Sequence, residues 1–424
     1  MGSPPGENSN GRSNAMKQKD IPVFGPLQGV RVLGSANFIA GPYMMGLFAE
    51  MGAAVTLLER PEIPDGLRTT VTEWFSSEHR NQLSLCLDIK TPEGMEALGR
   101  LLKENDIFVE NAKAGSLARL GVTDEWIWSH NPKMVIVHVA GYGQKGVPEY
   151  VGRPCLDAIA QAFSGYMSFN GPPESPMVAR MYNADYTASL HGAIGALAAL
   201  RRAEQTGKGE IVDVAMYECM LRVSADSIAL GLNRGMPPQR PGNKTQRAWG
   251  DGVYLCKDGK YVFWMSGQVG KTGYATQQMV GMENEDPGPG APFSTKPEVG
   301  EELARRMKIY CDEHTADEVE AAALEKGALC CKIMEYEDML TNPHYQARGS
   351  IVEWYDPCLD ETMKGAAPVP RFENNPTSIW RGTAVLGTDN EDLLEEVGYT
   401  PEEIQSFKDR GILRYGCPIH KNGV

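Results

Sequence analysis

The sequence is most informative first for what it lacks. No run is apolar enough, over enough residues, to cross a bilayer, so a membrane-spanning protein is not expected. The formal net charge is -14 over 424 residues, and no basic face of the kind a nucleic-acid binder needs stands out. Nine cysteines are scattered with no CxxC pair; Cys330 and Cys331 are adjacent, a spacing that suits neither a zinc knuckle nor an ordinary disulfide. No secretory signal precedes the folded part, and the cysteine usage fits a reducing, cytoplasmic compartment. There is no Walker A loop, HExxH, GxSxG or His/Cys cluster with metal spacing, which removes the commonest phosphate-loop, hydrolase and metalloenzyme chemistries. No metal is therefore expected.

What is present is ordinary for a globular protein: 42% hydrophobic, 8% aromatic and 23% charged residues. The length exceeds what one core supports, so two domains are expected. Residues 1–15 are Gly/Ser/Asn-rich and read as an expression-tag remnant, with the natural start expected at Met16.

GVRVLGSANFIAGPYMMGLFAEMGAAVTLLER opens the folded part as a βαβ unit. Its β runs are Gly29–Leu33 and Ala54–Glu59, with helical spacing over Gly41–Met51 between them. The rhythm continues through LSLCLDIK (strand), TPEGMEALGRLLKEN (helix), DIFVENA (strand) and MVIVHVAGYG (strand). Such alternation predicts a Rossmann-like α/β domain with a mainly parallel sheet. Two Pro/Gly-rich stretches, 233–246 and 285–297, break it. Between and after them the chain reads as a hairpin turning at Asp258-Gly259 and a helix over Thr315–Lys326, a smaller α+β domain. The expected division is a large domain over 16–225 completed by 349–424, a linker over 226–245, and a small domain over 246–345.

Glu59 ends the second strand where a ribose-binding acid would stand, yet the first turn is GSANFIAGP, not the GxGxxG that lets a backbone approach pyrophosphate. The basic residues near strand ends are more informative. Asn111, Lys113 and Arg119 follow one strand; His79, Arg80 and Asn81 precede another. Loops beyond the carboxyl ends of parallel strands form the ligand crevice, and Lys or Arg there suits phosphate.

Asp185, in RMYNADYTASLHGAIGALAAL, has two readings. As the N-cap of the following helix it would be structural, although Ala188 stands where a capping box wants Glu or Gln. As a nucleophile it would gain from the same position, since a helix N-terminus keeps a carboxylate ionised. The helix carries apolar residues at Leu190, Ile194, Leu197 and Leu200, and its many Gly and Ala residues imply close packing against a neighbour.

Several blocks together resemble the family III CoA-transferases (the CaiB/BaiF group), in order from Phe24 to about residue 415. They include FGPLQGVRVLGSANFIAGPYMMGLFAEMGAAVTLLE, RNQLSLCLDIKTPEG, VENAKAGSLARLGV, NADYTASLHGAIGALAALRRAEQTGKGEIVDVAMYE and NNPTSIWRGTAVLG. Within the family the chain is most similar to the carnitine and bile-acid CoA-transferase branch. The resemblance implies an interlocked-ring homodimer and transfer of CoA from an acyl-CoA donor to a free carboxylate, with no permanently bound cofactor. It places Asp185 as the nucleophile and Phe38, Ile39 and Ala40 as backbone that stabilises oxyanions. It implies Asn111, Lys113 and Arg119 as CoA contacts and Asp157 as a secondary site residue; Arg80 joins the CoA contacts from its place beside a strand end, and Tyr182 and Tyr186 the secondary residues as aromatic neighbours of Asp185. The acceptor would be a betaine, caged by Tyr182, Tyr186, Trp249 and Trp264, or a bile acid in a wide apolar pocket. Some relatives shield the intermediate with a glycine run, for which FWMSGQVG offers only Gly267 and Gly270. The rival on the same fold is α-methylacyl-CoA racemase, whose proton-moving His would align with Leu156, just before Asp157. A reading of another class, a non-enzymatic acyl-CoA-binding scaffold, predicts CoA binding indifferent to Asp185→Ala.

Overall fold

The computed structural model describes residues 15–236, 239–245, 248–266, 271–286 and 296–416. Six parallel strands build the main sheet: β1 Arg31–Ser35, β2 Ala54–Glu59, β3 Gln82–Cys86, β4 Ile107–Glu110, β5 Val135–Ala140 and β6 Glu210–Ala215. Their order is β3-β2-β1-β4-β5-β6, the doubly wound arrangement expected of a Rossmann-like domain. β2 to β5 are buried along their whole length, as parallel strands covered on both faces must be. That burial is why they read as unbroken apolar runs.

The crossover helices are α1 Ala40–Glu50, α2 Gly66–Thr70, α3 Thr72–Glu78, α4 Pro92–Lys103, α5 Asp124–His130, α6 Pro148–Val151, α7 Asp157–Phe163 and α8 Asn183–Thr206, with α9 Met216–Val223 after β6. Local signals set several starts. Thr91 caps α4 by accepting from the Gly94 N–H at 3.0 Å, with Pro92 in the first turn, and Thr123 accepts from Trp126 N–H at the start of α5.

The chain divides into two units. The first joins Met1–Ser164, Arg180–Ala225 and Gly349–Val424; the second joins Gly165–Ala179 and Asp226–Arg348. Residues 165–179, expected inside the large domain, thus fall in the second unit. The reason is visible: the Arg240 guanidinium donates to the carbonyls of Ser168, Pro172 and Pro173. The stretch 226–245, expected as a linker, belongs to the same unit and begins with a helix over Ala225–Arg234. The second unit also holds an antiparallel sheet of β7 Gly252–Leu255, β8 Tyr261–Met265 and β9 Leu329–Lys332. The turn at Asp258-Gly259 joins β7 to β8, and Thr315 opens the helix Ala316–Lys326 with a capping box.

The C-terminal segment forms a hairpin, β10 Ile351–Asp356 and β11 Glu361–Ala366, then closes the open edge of the main sheet. Asp389 and Asn390 accept from the Ser84 and Cys86 N–H groups of edge strand β3, removing a row of unpaired donors. Leu393, Leu394, Ile404 and Phe407 join Leu83, Leu85 and Leu98 in one core. Among the described residues, no helix is long and apolar enough to cross a membrane.

Candidate active site

In a doubly wound sheet the crevice opens where neighbouring strands send their crossovers to opposite faces, here between β1 and β4. The chain after β1 carries Asn37, Phe38 and Ile39; the chain after β4 begins with Asn111. Asn111 joins the two, accepting from Asn37 N–H at 2.9 Å and donating to Asn37 carbonyl at 2.7 Å. Expected to touch CoA, Asn111 instead spends both ends of its amide on this bridge. A glycine at 41 is needed for the closeness, since a Cβ there would lie 2.5 Å from Ala36 Cβ and 3.3 Å from Asn111 Cγ.

The turn into α1 is strained. Phe38 has φ 63, a left-handed conformation uncommon for a bulky side chain and costing about 1–2 kcal/mol. Its N–H donates to Asp65 Oδ2 at 2.9 Å; a hydrogen bond contributes about 0.5–1.5 kcal/mol, of the same order as the strain it offsets. Asp65 is itself fully buried. It accepts from Leu67 N–H at 2.8 Å and donates its own N–H to Glu59 at 3.0 Å. Burial raises the Asp65 carboxyl to about 7, with the nearby Glu59 adding to the effect. The expectation for oxyanion-stabilising backbone therefore narrows, because the Phe38 amide is already used. Ile39 and Ala40 begin α1 with no side-chain cap, and position 42 is a proline, which has no N–H to satisfy. The start of α1 thus keeps unfilled donors and the positive end of its dipole.

α8 starts beside it. The single Ser189 hydroxyl proton lies between two acceptors, the Ala40 carbonyl at 2.6 Å and the Asp185 carbonyl at 2.8 Å, and a Cβ on Gly192 would lie 2.9 Å from Met44 Sδ. The small-residue packing expected of this helix is present: Ala184, Ala188, Ala196 and Ala203 are buried. The expected apolar stripe is not a core face, since Leu190 and Ile194 are 48% and 69% exposed.

Asp185 does not cap α8. The cap position is Tyr182, in left-handed conformation and without a side-chain bond, so Asp185 is the third residue of the helix. The capping oxygen comes from elsewhere: Asp157 Oδ1 accepts from Ala184 N–H at 2.7 Å and Asp185 N–H at 3.3 Å. Gln161 donates to the other Asp157 oxygen at 2.5 Å. The carboxylate of Asp185 is left unengaged by the helix and faces a second acid. Desolvation, then the charge of Asp157, raises it from its ordinary 3.8 to about 7, opposite to the lowering expected from the helix end. Burial outweighs the dipole, and another carboxylate already accepts from the amides that would deliver it.

Around Asp185 lie aromatic and acidic groups. Tyr186 donates to Glu78 Oε1 at 2.9 Å, accepts from Trp74 Nε1 at 3.2 Å and packs edge-on against Tyr43. Trp74 lies against Tyr182, ring centroids 4.6 Å apart. Burial raises Glu78 to about 7. Cys155, expected in no role, has its thiol raised to about 11 by burial and then by the charges of Asp185 and Asp157. Leu156, where a racemase would need imidazole, is 71% exposed. Of the four aromatic residues expected to cage a betaine, Tyr182 and Tyr186 belong to the first unit and Trp249 and Trp264 to the second. Trp264 is wholly buried and donates to Thr276 at 3.2 Å, and Trp249 packs its ring over Gly300. Gly267 and Gly270 lie outside the described residues.

The basic candidates divide. Lys113 and Arg119 are exposed beyond the carboxyl end of β4, with Arg119 held to Ser116 Oγ at 2.9 Å. Below them His138 meets Glu110 at 2.7 Å and Asp124 at 3.0 Å. Burial opposes its charge, but the two carboxylates outweigh it and lift the imidazole to about 9. Glu110 also accepts from Ala112 N–H at 2.8 Å, anchoring the basic loop. Arg80 stands apart: 6% exposed, it pairs with Glu50, donates to Ala366 carbonyl and stacks on Trp354. Glu50 ends α1, about 15 Å along the helix from Ala40, so Arg80 has a structural task instead of the CoA contact expected. Glu59 is likewise spent, on Arg68 at 2.6 Å, and offers nothing to a ribose.

Asp65, Trp74, Glu78 and Ser189 were not identified from sequence. Only the Pro64-Asp65-Gly66 turn signal could have flagged one of them as a cap. Among the described residues no group of His, Cys, Asp and Glu is disposed to hold a metal ion. The arrangement pairs a desolvated carboxylate with unfilled amides and an exposed basic loop, features suited to acyl transfer from an anionic carrier.

A family model described as CoA-transferase family III matches residues 27–390. A bile acid CoA-transferase, BaiK of Clostridium scindens, is 40% identical over 405 residues, covering 93% of this chain and 90% of that protein. Among solved structures, a CAIB/BAIF family protein from Brucella suis aligns with TM-score 0.76 at 24% identity, over 88% of this chain and 100% of the other. Rv3272 from Mycobacterium tuberculosis aligns with TM-score 0.75 at 21% identity, over 88% and 99%. At these identities the two structural likenesses speak for the fold.

Proposed function

The chain belongs to CoA-transferase family III, and from that premise we propose that it moves CoA between an acyl-CoA and a free carboxylate through covalent intermediates on Asp185. The Asp185 carboxylate attacks the thioester carbonyl, and the tetrahedral adduct collapses to a mixed anhydride with loss of CoA thiolate. The thiolate attacks the aspartyl carbonyl, expels the donor acid and leaves an aspartyl-CoA thioester. The acceptor carboxylate then displaces the thiolate to form a second anhydride. The thiolate finally attacks the acceptor's carbonyl, releasing the new acyl-CoA and regenerating Asp185. No net proton is exchanged.

The observation that carries this reading is the pairing of two helix starts. An unengaged, desolvated carboxylate stands at the start of α8, and the backbone of that helix start meets the uncapped start of α1 through Ser189, whose hydroxyl lies between the Asp185 and Ala40 carbonyls. The Ile39 and Ala40 N–H groups would take the developing oxyanions. Lys113 and Arg119 would take CoA phosphates.

For the acceptor we favour a bile acid over a betaine. Phe38 and Tyr182 are 51% and 45% exposed beside the two helix starts, and with Trp74 they present broad apolar surface to a large ring system. The 40% identity to a bile acid CoA-transferase points the same way. A cytoplasmic location belongs to the same proposal, since the eight described thiols would stay reduced there. A homodimer would cover Leu190 and Ile194 of α8 with Ile159 and Phe163 of α7, all exposed in the single chain.

A panel of acceptors (deoxycholate, cholate, carnitine, γ-butyrobetaine, crotonobetaine and oxalate) offered with a matching acyl-CoA and read by mass spectrometry tests the reading. Bile acyl-CoA formation is expected. Turnover confined to the betaines or oxalate would overturn the acceptor assignment.

A further inference from the structure

Asp65 is buried away from the attacking carboxylate, yet three facts connect it to the chemistry. First, Phe38 is held at φ 63, and the Phe38 N–H donates to Asp65 Oδ2 at 2.9 Å. Second, Asp65 is immobile: fully buried, it accepts from Leu67 N–H through Oδ1 and hangs from Glu59, which is locked in turn by Arg68. His79 Nε2 stands 3.7 Å from Oδ2 with no hydrogen bond of its own; burial holds His79 neutral, well below its usual range. Third, the residues that follow Phe38 are Ile39 and Ala40, whose amides begin α1 uncapped. A peptide plane is rigid, so the Phe38 N–H bond to Asp65 and the Asn37 carbonyl bond from Asn111 fix the 37–38 plane, and with Phe38 at φ 63 only its ψ separates that plane from the one carrying the Ile39 N–H. Asn111 secures the preceding residue from the other side, at Asn37. Both clamps act on Asn37 and Phe38 and leave the Ile39 and Ala40 amides without a side-chain cap.

We infer that Asp65 is a positioning residue for the acyl-transfer step: it holds Phe38 left-handed so that the Ile39 and Ala40 amides are preset for the oxyanion. The inference rests on the covalent reading of Asp185 given above. Both Asp65 oxygens must accept, one from Leu67 and one from Phe38. An asparagine can satisfy only one of them and presents a donor to the other.

The test combines turnover with a readout independent of it. In Asp65→Asn, kcat for CoA exchange between cholyl-CoA and deoxycholate falls about 100-fold, while KM for the acyl-CoA changes less than about threefold. In the same variant without substrate, deuterium uptake in the peptide spanning residues 36–43 quickens at least about tenfold. Phe38→Pro leaves Asp65 and its Leu67 contact in place but removes the donor and forbids positive φ. It reproduces the kcat loss, and it serves where Asp65→Asn does not fold. Unchanged deuterium uptake, unchanged kcat, or a loss confined to KM would overturn the inference. Exchange that survives Asp185→Asn would overturn the covalent reading instead, so the two failures are distinguishable.

Discussion

Two helices begin side by side at this site and satisfy their first-turn amides in opposite ways. α8 is capped from outside, by Asp157 on α7, and its own third residue, Asp185, keeps a free carboxylate. α1 is left uncapped, and just ahead of it Asn37 is pinned by Asn111 and Phe38 by Asp65. The same orphan donors that every helix start presents are cancelled in one case and preserved in the other. Cancelling them at α8 denies Asp185 the stabilisation that would make it a weak base. Preserving them at α1 keeps a site for negative charge within reach of the same carbonyl. The contrast separates the attacking group from the groups that receive the charge it creates.

Removing the acid from α8 breaks the contrast most severely. Asp185→Asn lowers CoA exchange about 10⁴-fold or more; exchange within tenfold of the wild type would place the nucleophile elsewhere. The same change has an opposite effect on stability. In the folded chain Asp185 is raised to about 7 from its ordinary 3.8, so between those values the native state holds a proton that the unfolded chain has lost. Stability therefore declines as pH rises through that window, and the full penalty is present above about 7. The asparagine variant escapes it. Its Tm exceeds that of the wild type at pH 8 by a few degrees, and the gap closes near pH 4; equal gaps at both pH values would argue that Asp185 is not destabilised by ionising in place.

The Asp65 substitution falls next in size, and a smaller effect is expected from the capping acid. Asp157→Asn keeps an oxygen for the Ala184 amide but removes a negative charge beside Asp185. In the wild type kcat/KM rises with pH through about 7 as Asp185 ionises. In the variant this limb moves to lower pH by less than about one unit, because burial and not Asp157 is the leading cause. A limb that does not move would detach Asp157 from the titration of Asp185.

Much of this architecture is legible in the sequence. The apolar runs that become β2 to β5 are continuous because both faces of a parallel sheet are covered, and Thr91 and Thr315 announce their helices. The glycines and alanines of α8 foretold close packing, with Gly192 against Met44. What stayed hidden depends on pairs distant in the chain. Asp185 read as a cap because local spacing cannot reveal that Asp157, 28 residues earlier, supplies the oxygen. Arg80 read as a phosphate contact because nothing near it announces Glu50. Leu190 and Ile194 read as a core face because apolar character does not say which surface a helix buries.

The covalent role of Asp185 is tested most directly by incubating the protein with an acyl-CoA in the absence of acceptor, quenching, digesting and sequencing the peptides by mass spectrometry. The account predicts CoA in thioester linkage on Asp185, converted to the hydroxamate by hydroxylamine and absent from the Asp185→Asn variant. Steady turnover with no adduct at Asp185, or with the adduct on another residue, would contradict it.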